Sequence, residues 1–405
     1  MDKKFGSKSF FAIFMVLLMV FVTACAPTEG TSKKGNNAGD TIKIGGTLPL
    51  TGPYAETGLF IQDGYKYWVD EINANGGLLG KKVELEIIDD QSDQANAVSF
   101  LQNLISQKNV DLLIGGYPGD SAAAQMGVAE QNKMVYISMG GHMKSFEQGF
   151  DYAFGAPPLM GEWWYHGFFD WLKTQPKETW PTKAAMISVN NAVGHSVRDS
   201  AKIGLKELGI ELVVDELYEL PLQSAEPLVN KAKQAGADLF FANGFFGDGV
   251  QTVRAIKALD YQPKAILQGI GSLIPSWQEE LGAEGNNVFS GTAMHPSLPF
   301  EGIEELNKMS KDKYGTQAPP YFMFGYAWMQ VLSQAVEGAG EIDHQAIKDW
   351  LRENTVQTIG GTFTFDEKGL PTPYSYLTQV IDGVPVIVWP EDVATDKPVY
   401  PYPNE

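Results

Sequence analysis

Few residues in this chain are spaced for chemistry. Gly76-Gly77-Leu78-Leu79-Gly80-Lys81-Lys82 has the glycines and lysine of a phosphate loop. It lacks the Ser or Thr after the lysine, however, and runs into a strand where a phosphate loop would open a helix. It reads as a turn. Gly119-Asp120-Ser121 lacks the glycine two places after the serine that a nucleophile elbow requires. His142, His166, His195, His295 and His344 show no metal-ligand spacing. Asp89 and Asp90 end a strand, where adjacent side chains point to opposite faces. They therefore read as solvated strand-end acids and not as an acid–base pair. No catalytic set emerges, and neither a cofactor nor a metal is expected.

Charge and cysteine usage narrow the field further. The 405 residues carry 49 acids against 30 Lys and Arg, a formal charge of −19. Such a surface repels phosphate backbones and anionic headgroups, so nucleic acid is not an expected partner. The single cysteine, Cys25, excludes an internal disulfide and any Cys-based zinc or iron–sulfur site. Its position is informative. Lys3, Lys4 and Lys8 precede an apolar run of 13 residues, Phe10 to Val22, too short to span a bilayer comfortably. Val22-Thr23-Ala24-Cys25 then resembles the lipobox of bacterial lipoproteins. Residues 1–24 are thus expected to be a signal peptide, with Cys25 lipidated and 25–40 a polar tether. That places the protein outside the cytoplasm, on the periplasmic or extracellular face of a bacterial envelope, touching the membrane through its lipid alone. A buried free cysteine after a plain signal peptide is the alternative.

The elements that must position any site alternate strand and helix from Thr41 onward. Expected strands include 42–48, 83–88, 110–114 and 134–138, then, after Pro157-Pro158, 184–189, 211–214, 239–242, 265–267 and 288–291. Helical periods fall between them, with Gly161–Lys173 and Val197–Leu208 in the second series. Two successive βαβ series predict an α/β protein with two Rossmann-like parallel-sheet lobes. Helices at 302–314, 322–336 and 345–354 follow, then a hairpin of 376–381 and 384–389 turned by Asp382-Gly383. The segment 394–405 shows no period.

Four stretches carry a family resemblance: Leu50-Thr51-Gly52-Pro53-Tyr54-Ala55-Glu56-Thr57-Gly58, the quite specific Asp70 to Gly80, Ile88 to Asp93, and Val110 to Tyr117. The chain resembles the leucine/isoleucine/valine-binding proteins of ABC importers, which have the type I periplasmic-binding fold. The resemblance implies two lobes joined by three crossovers near 154–158, 292–298 and 356–362. Lobe 1 would be 41–156 plus 297–357, lobe 2 157–296 plus 358–392, and 393–405 a tail. It also implies a ligand cleft between first-lobe loops 53–58, 117–121 and 139–143 and second-lobe loops 190–195, 243–248 and 269–272.

Candidate ligand contacts in the first lobe are Tyr54 and Thr57, then Tyr117, Gly119 and Ser121, then Gly140, Gly141 and His142. Asp120 reads as the N-cap of the following helix. In the second lobe the candidates are Asn191, Phe245, Asp248 and Gly271. Trp163, Trp164, Tyr165 and Phe168 could form an aromatic wall, but their helical spacing favours ordinary packing. The family's acidic partner for a ligand ammonium aligns near Gly271, and its second-lobe tyrosine near Val193-Gly194. Either Asp248 or Asp120 supplies that charge, or the ligand has no ammonium; a ligand other than a standard branched-chain amino acid is the sharper expectation.

The resemblance thus implies a non-enzymatic solute-binding component. It would close around a small carboxylate-bearing ligand, an amino acid or a related organic acid or amide, and deliver it as a monomer to the ABC permease transmembrane subunits. A ligand sensor of the same fold and an extracytoplasmic hydrolase are the rival readings.

Overall fold

The computed structural model describes residues 41–140, 143–158 and 163–403. Cys25, Gly141 and His142 lie outside the described residues. The first βα series comprises β1 (Thr41–Leu48), α1 (Ala55–Ala74), β2 (Lys82–Asp89), α2 (Gln94–Ser106), β3 (Leu112–Ile114), α3 (Gly119–Asn132), β4 (Tyr136–Met139) and β5 (Ala153–Ala156). The second comprises α4 (His166–Lys173), β6 (Lys183–Val189), α5 (Ala192–Leu208), β7 (Glu211–Tyr218), α6 (Glu226–Gln234), β8 (Leu239–Asn243), α7 (Phe246–Ala258), β9 (Ala265–Gln268), α8 (Ser276–Leu281) and β10 (Val288–Thr292). Then come α9 (Ile303–Tyr314), α10 (Pro320–Ala339), α11 (His344–Glu353), β11 (Val356–Thr358), β12 (Gly361–Phe363), β13 (Tyr376–Ile381) and β14 (Val384–Trp389).

The strands form two main sheets. One is parallel throughout, in the order β2-β1-β3-β4-β5. The other runs β14-β13-β10-β9-β8-β6-β7, parallel from β10 to β7, with the terminal hairpin added antiparallel. The Asp382-Gly383 turn has the positive φ at both residues, 49° and 78°, that a tight hairpin demands. The fold class read from the alternating pattern is therefore the observed one.

After β10 the chain leaves the second sheet, and α10 packs on α1 and against β3, β4 and β5 of the first. Two glycines set how closely α1 and α10 approach. A Cβ on Gly64 would sit 2.3 Å from the Phe322 carbonyl oxygen, and one on Gly325 2.3 Å from that of Ile61. Trp328 of α10 donates its indole N–H to the Pro157 carbonyl (2.7 Å), tying the helix to the first passage between sheets. Asn73 explains part of the 70–80 segment: its amide pairs both ways with the Val83 backbone (2.8 and 2.9 Å), fixing β2 against α1.

Several expectations need correction. β5 escaped detection because its Ala-Phe-Gly-Ala stretch is fully buried and shows no alternation. α5 begins five residues before Val197, because the Asn191 side chain accepts from the Gly194 N–H (2.9 Å) and caps it. α4 begins at His166, so Trp163, Trp164 and Tyr165 precede it. The third passage between sheets forms the small hairpin β11–β12. Residues after β14 have no period but are held down: Val399 pairs with the Gln379 side chain, and the Tyr402 N–H donates to Lys264 (2.7 Å). Asp90 is not solvated. It is fully buried and accepts from Thr47 Oγ1 and the Ser92 N–H, while Asp89 caps the Leu50-Thr51 turn.

Candidate functional site

In an open parallel sheet a crevice forms where neighbouring strands send their connections to opposite faces. In the first sheet that point lies between β1 and β3, and in the second between β6 and β8. The loops leaving these four strands are 49–54, 115–118, 190–191 and 244–245, and each runs directly into a helix N-terminus. Gly58 and Gly194 make equivalent close approaches in the two halves. A Cβ on either would fall 2.1 or 2.0 Å from the carbonyl oxygen of Pro49 or Val189 at the preceding strand end.

The two sets of loops touch. The Tyr54 and Phe245 rings pack at a centroid distance of 4.6 Å, and Tyr54 meets Tyr117 edge-on at 6.3 Å. Asp120 Oδ2 accepts from the Ala192 N–H in the first turn of α5 (3.3 Å). At the rim Ser276 hydrogen-bonds Glu56, and Lys144 pairs with Asp199 (2.8 Å). Burial, and next the charge of Asp120, push the Tyr54 phenol up to about 12; Asp248 adds to the rise and a hydrogen bond with Asn191 opposes it. Tyr54, Tyr117, Asp120, Asn191, Phe245 and Asp248 thus converge from both halves of the chain.

The remaining candidates have varied surroundings. Thr57 and Ser121 are buried beside this cluster, in the first turns of α1 and α3. Gly119 opens α3, whose N-cap is Pro118 and not Asp120, so the N-cap reading of Asp120 is wrong. Gly140 spends its N–H on the Ala156 carbonyl (2.8 Å) as an extension of β4 and has none left for a ligand. Phe245 precedes α7, and Asp248 accepts from its N–H (3.0 Å) and from the Tyr218 hydroxyl. Burial pushes the Asp248 carboxyl up to about 6 against these hydrogen bonds. At Gly271 a Cβ would lie 2.8 Å from Phe246 Cα, so the Phe245-Phe246 backbone fills the space an acidic side chain would need. Trp164, Tyr165 and Phe168 are core residues, Tyr165 donating to Asn243 Oδ1 (2.7 Å).

Sequence reasoning missed Tyr218, Glu56, Ser276 and Gln268. The Gln268 amide ties the 244–245 carbonyls to the Ser272 N–H. None carries a local signature; each acts on a loop far away in sequence. A concavity of about 940 Å³ between residues 296–303 and α9 shares no residue with the cleft.

Two open parallel sheets with their switch points face to face define a cleft-type binding protein. A family model described as periplasmic binding protein matches residues 41–384. The Leu/Ile/Val-binding protein homolog 7 of Brucella abortus is 28% identical over 376 residues, covering 88% of this chain and 93% of its own. Two solved structures share the fold. The branched-chain amino acid transporter substrate-binding protein of Streptococcus pneumoniae, in complex with isoleucine, is 20% identical with TM-score 0.76, covering 85% of this chain and 98% of its own. A solute-binding protein of an ABC transporter from Rhodopseudomonas palustris, in complex with 3,4-dihydroxybenzoic acid, is also 20% identical, with TM-score 0.74 and coverage of 86% and 96%. This chain belongs to the periplasmic binding protein family. Membership of that family implies an exported, extracytoplasmic location.

Proposed function

We propose that this chain is the lipid-anchored binding component of an ABC importer. It takes a small carboxylate-bearing molecule, an amino acid or a related organic acid or amide, into the cleft and presents it to the permease. Residues 1–24 are removed, Cys25 carries the lipid and 25–40 form the tether. The lobes comprise 41–156 plus 297–357 and 157–296 plus 358–392, and the protein works as a monomer without covalent chemistry of its own.

The observation that carries this reading is the meeting of the α3 and α5 N-termini across the cleft. The first-turn N–H groups of a helix have no partner within it, and the helix dipole favours a negative group there. The contacts of Tyr54 with Phe245 and of Glu56 with Ser276 support closure as the working motion. A ligand that touches both lobes shifts the protein toward this closed form, and the permease reads that form.

The test is calorimetric titration of the chain from Asp40 onward, stripped of bound ligand by unfolding and refolding, with amino acids, simple carboxylates and amides. Saturable one-to-one binding with a reduced radius of gyration in X-ray scattering is expected. Silence across the panel would overturn the assignment of the ligand. For the anchor, Cys25→Ser should move the protein from the membrane fraction to the soluble one.

A further inference from the structure

Behind the loops that leave β1 and β3 runs a chain of hydrogen-bonded polar side chains. Tyr136 of β4 donates its hydroxyl to Gln125 Oε1 of α3 (2.5 Å). Gln125 Nε2 donates to Thr47 Oγ1 of β1 (2.7 Å) and to the Ala97 carbonyl of α2 (2.9 Å). Thr47 Oγ1 donates in turn to Asp90 Oδ2, in the turn after β2 (3.1 Å). All four side chains are fully buried.

Each end of this relay grips a cleft loop. At the Asp90 end, Oδ1 accepts from the Ser92 N–H (3.0 Å). Ser92 Oγ then donates to the Thr51 carbonyl (2.7 Å) and accepts from the Tyr54 N–H (3.2 Å). The turn that brings the Tyr54 ring to Phe245 therefore hangs from Asp90.

At the other end, the loop after β3 is moulded to the relay. A Cβ on Gly116 would fall 2.2 Å from Gln125 Oε1, and one on Gly115 2.2 Å from the Tyr136 hydroxyl. Only residues without a side chain let the backbone pass so close. Tyr65 of α1 donates to the Gly115 carbonyl (2.9 Å), and Tyr117, edge-on to Tyr54, follows two residues on.

The donors all point one way, from the phenol to the carboxylate, and Gln125 is the link between the halves. It touches Gly116 of one loop and Thr47, which leads to the other. Burying such a chain costs free energy that apolar side chains of similar size would not, and losing one member leaves its neighbours unpaired. What the chain supplies is a fixed geometry between two turns that are distant in sequence. From this juxtaposition we infer that Gln125 is a positioning residue of the cleft: through the relay it sets the turn carrying Tyr54 against the loop carrying Tyr117. Its bearing on ligand affinity rests on the cleft being the binding site proposed above; its hold on the two loops does not.

The test is amide hydrogen exchange on ligand-stripped protein, read on peptides covering 49–54 and 115–121. Gln125→Met removes the relay bonds at nearly constant volume. It should speed exchange about tenfold in both segments, while 326–336 of α10 and 184–189 of β6 stay within about twofold. Thr47→Val, which keeps the shape and loses the hydroxyl, should act on the same two segments. Thr47→Ser, which keeps the hydroxyl, should restore both to within about threefold of wild type. If Gln125→Met does not fold, the Thr47 pair decides. A rise confined to 115–121, a rise spread evenly over α10 and β6, or equal behaviour of Thr47→Val and Thr47→Ser overturns the inference. Because no ligand is added, a failed exchange test leaves the binding reading intact, and a wild type silent in calorimetry leaves this inference intact.

Discussion

The buried carboxyl of Asp248 sets up a measurable dependence of stability on pH. The residue is 5% exposed, and burial raises its pKa from 3.8 to about 6, against the lowering effect of hydrogen bonds from Tyr218 and the Phe245 N–H. A carboxyl with a higher pKa in the folded state keeps its proton longer there. Below about pH 3.8 both states are protonated and no penalty is felt. Between there and about pH 6 the unfolded chain ionises first, so stability falls as pH rises; above about pH 6 the full penalty stands. Roughly two pK units at about 1.4 kcal/mol each amount to about 3 kcal/mol. Asp248→Asn cannot ionise, and its amide oxygen can still accept from the Phe245 N–H. Urea unfolding followed by circular dichroism should therefore find the variant gaining on the wild type by about 3 kcal/mol between pH 4 and pH 8. Asp90, likewise pushed to about 6 by burial, is present in both proteins and cancels. A difference that stays constant with pH, or that shifts toward the wild type as pH rises from 4 to 8, would refute the account of Asp248 as a charge held against burial.

Two further outcomes follow from the packing. Gly64→Val should destabilise the protein by about 1–3 kcal/mol, because its Cβ falls 2.3 Å from the Phe322 carbonyl and α1 and α10 must part to admit it; an unchanged melting temperature would mean that crossing is slack. Ser276→Ala combined with Lys144→Ala removes two contacts that join the halves in this structure, and should weaken ligand binding several-fold, about 0.5–1.5 kcal/mol. Unaltered affinity in calorimetry would show that these rim contacts do not contribute to closure.

Most of the strands and helices were legible because their signals are local. The alternation of β1 and β2, the helical stripe of α1 and the Asp382-Gly383 turn each lie within a few consecutive residues. β5 was not legible, because a short strand buried on both faces has no polar side to alternate with. The start of α5 was misplaced because its signal is one side chain, Asn191, capping a segment that otherwise reads as loop. The segment after β14 has no period because its order comes from partners in the second sheet and its edges, among them Gln379, Lys264 and Thr179.

For the site the division is similar. Residue order determined which loops follow parallel strands, and hence that 53–58, 117–121, 190–195 and 243–248 gather at strand ends. It also determined the acidic balance and the absence of a spaced catalytic set. What each acid does could be decided only in three dimensions. Asp90 is buried through Thr47, 43 residues away; Asp248 answers to Tyr218, 30 residues away; and Asp120 reaches Ala192, 72 residues away. A carboxylate's charge, its pKa and its partner depend on the donors and the dielectric brought to it by folding, and linear spacing carries no record of either.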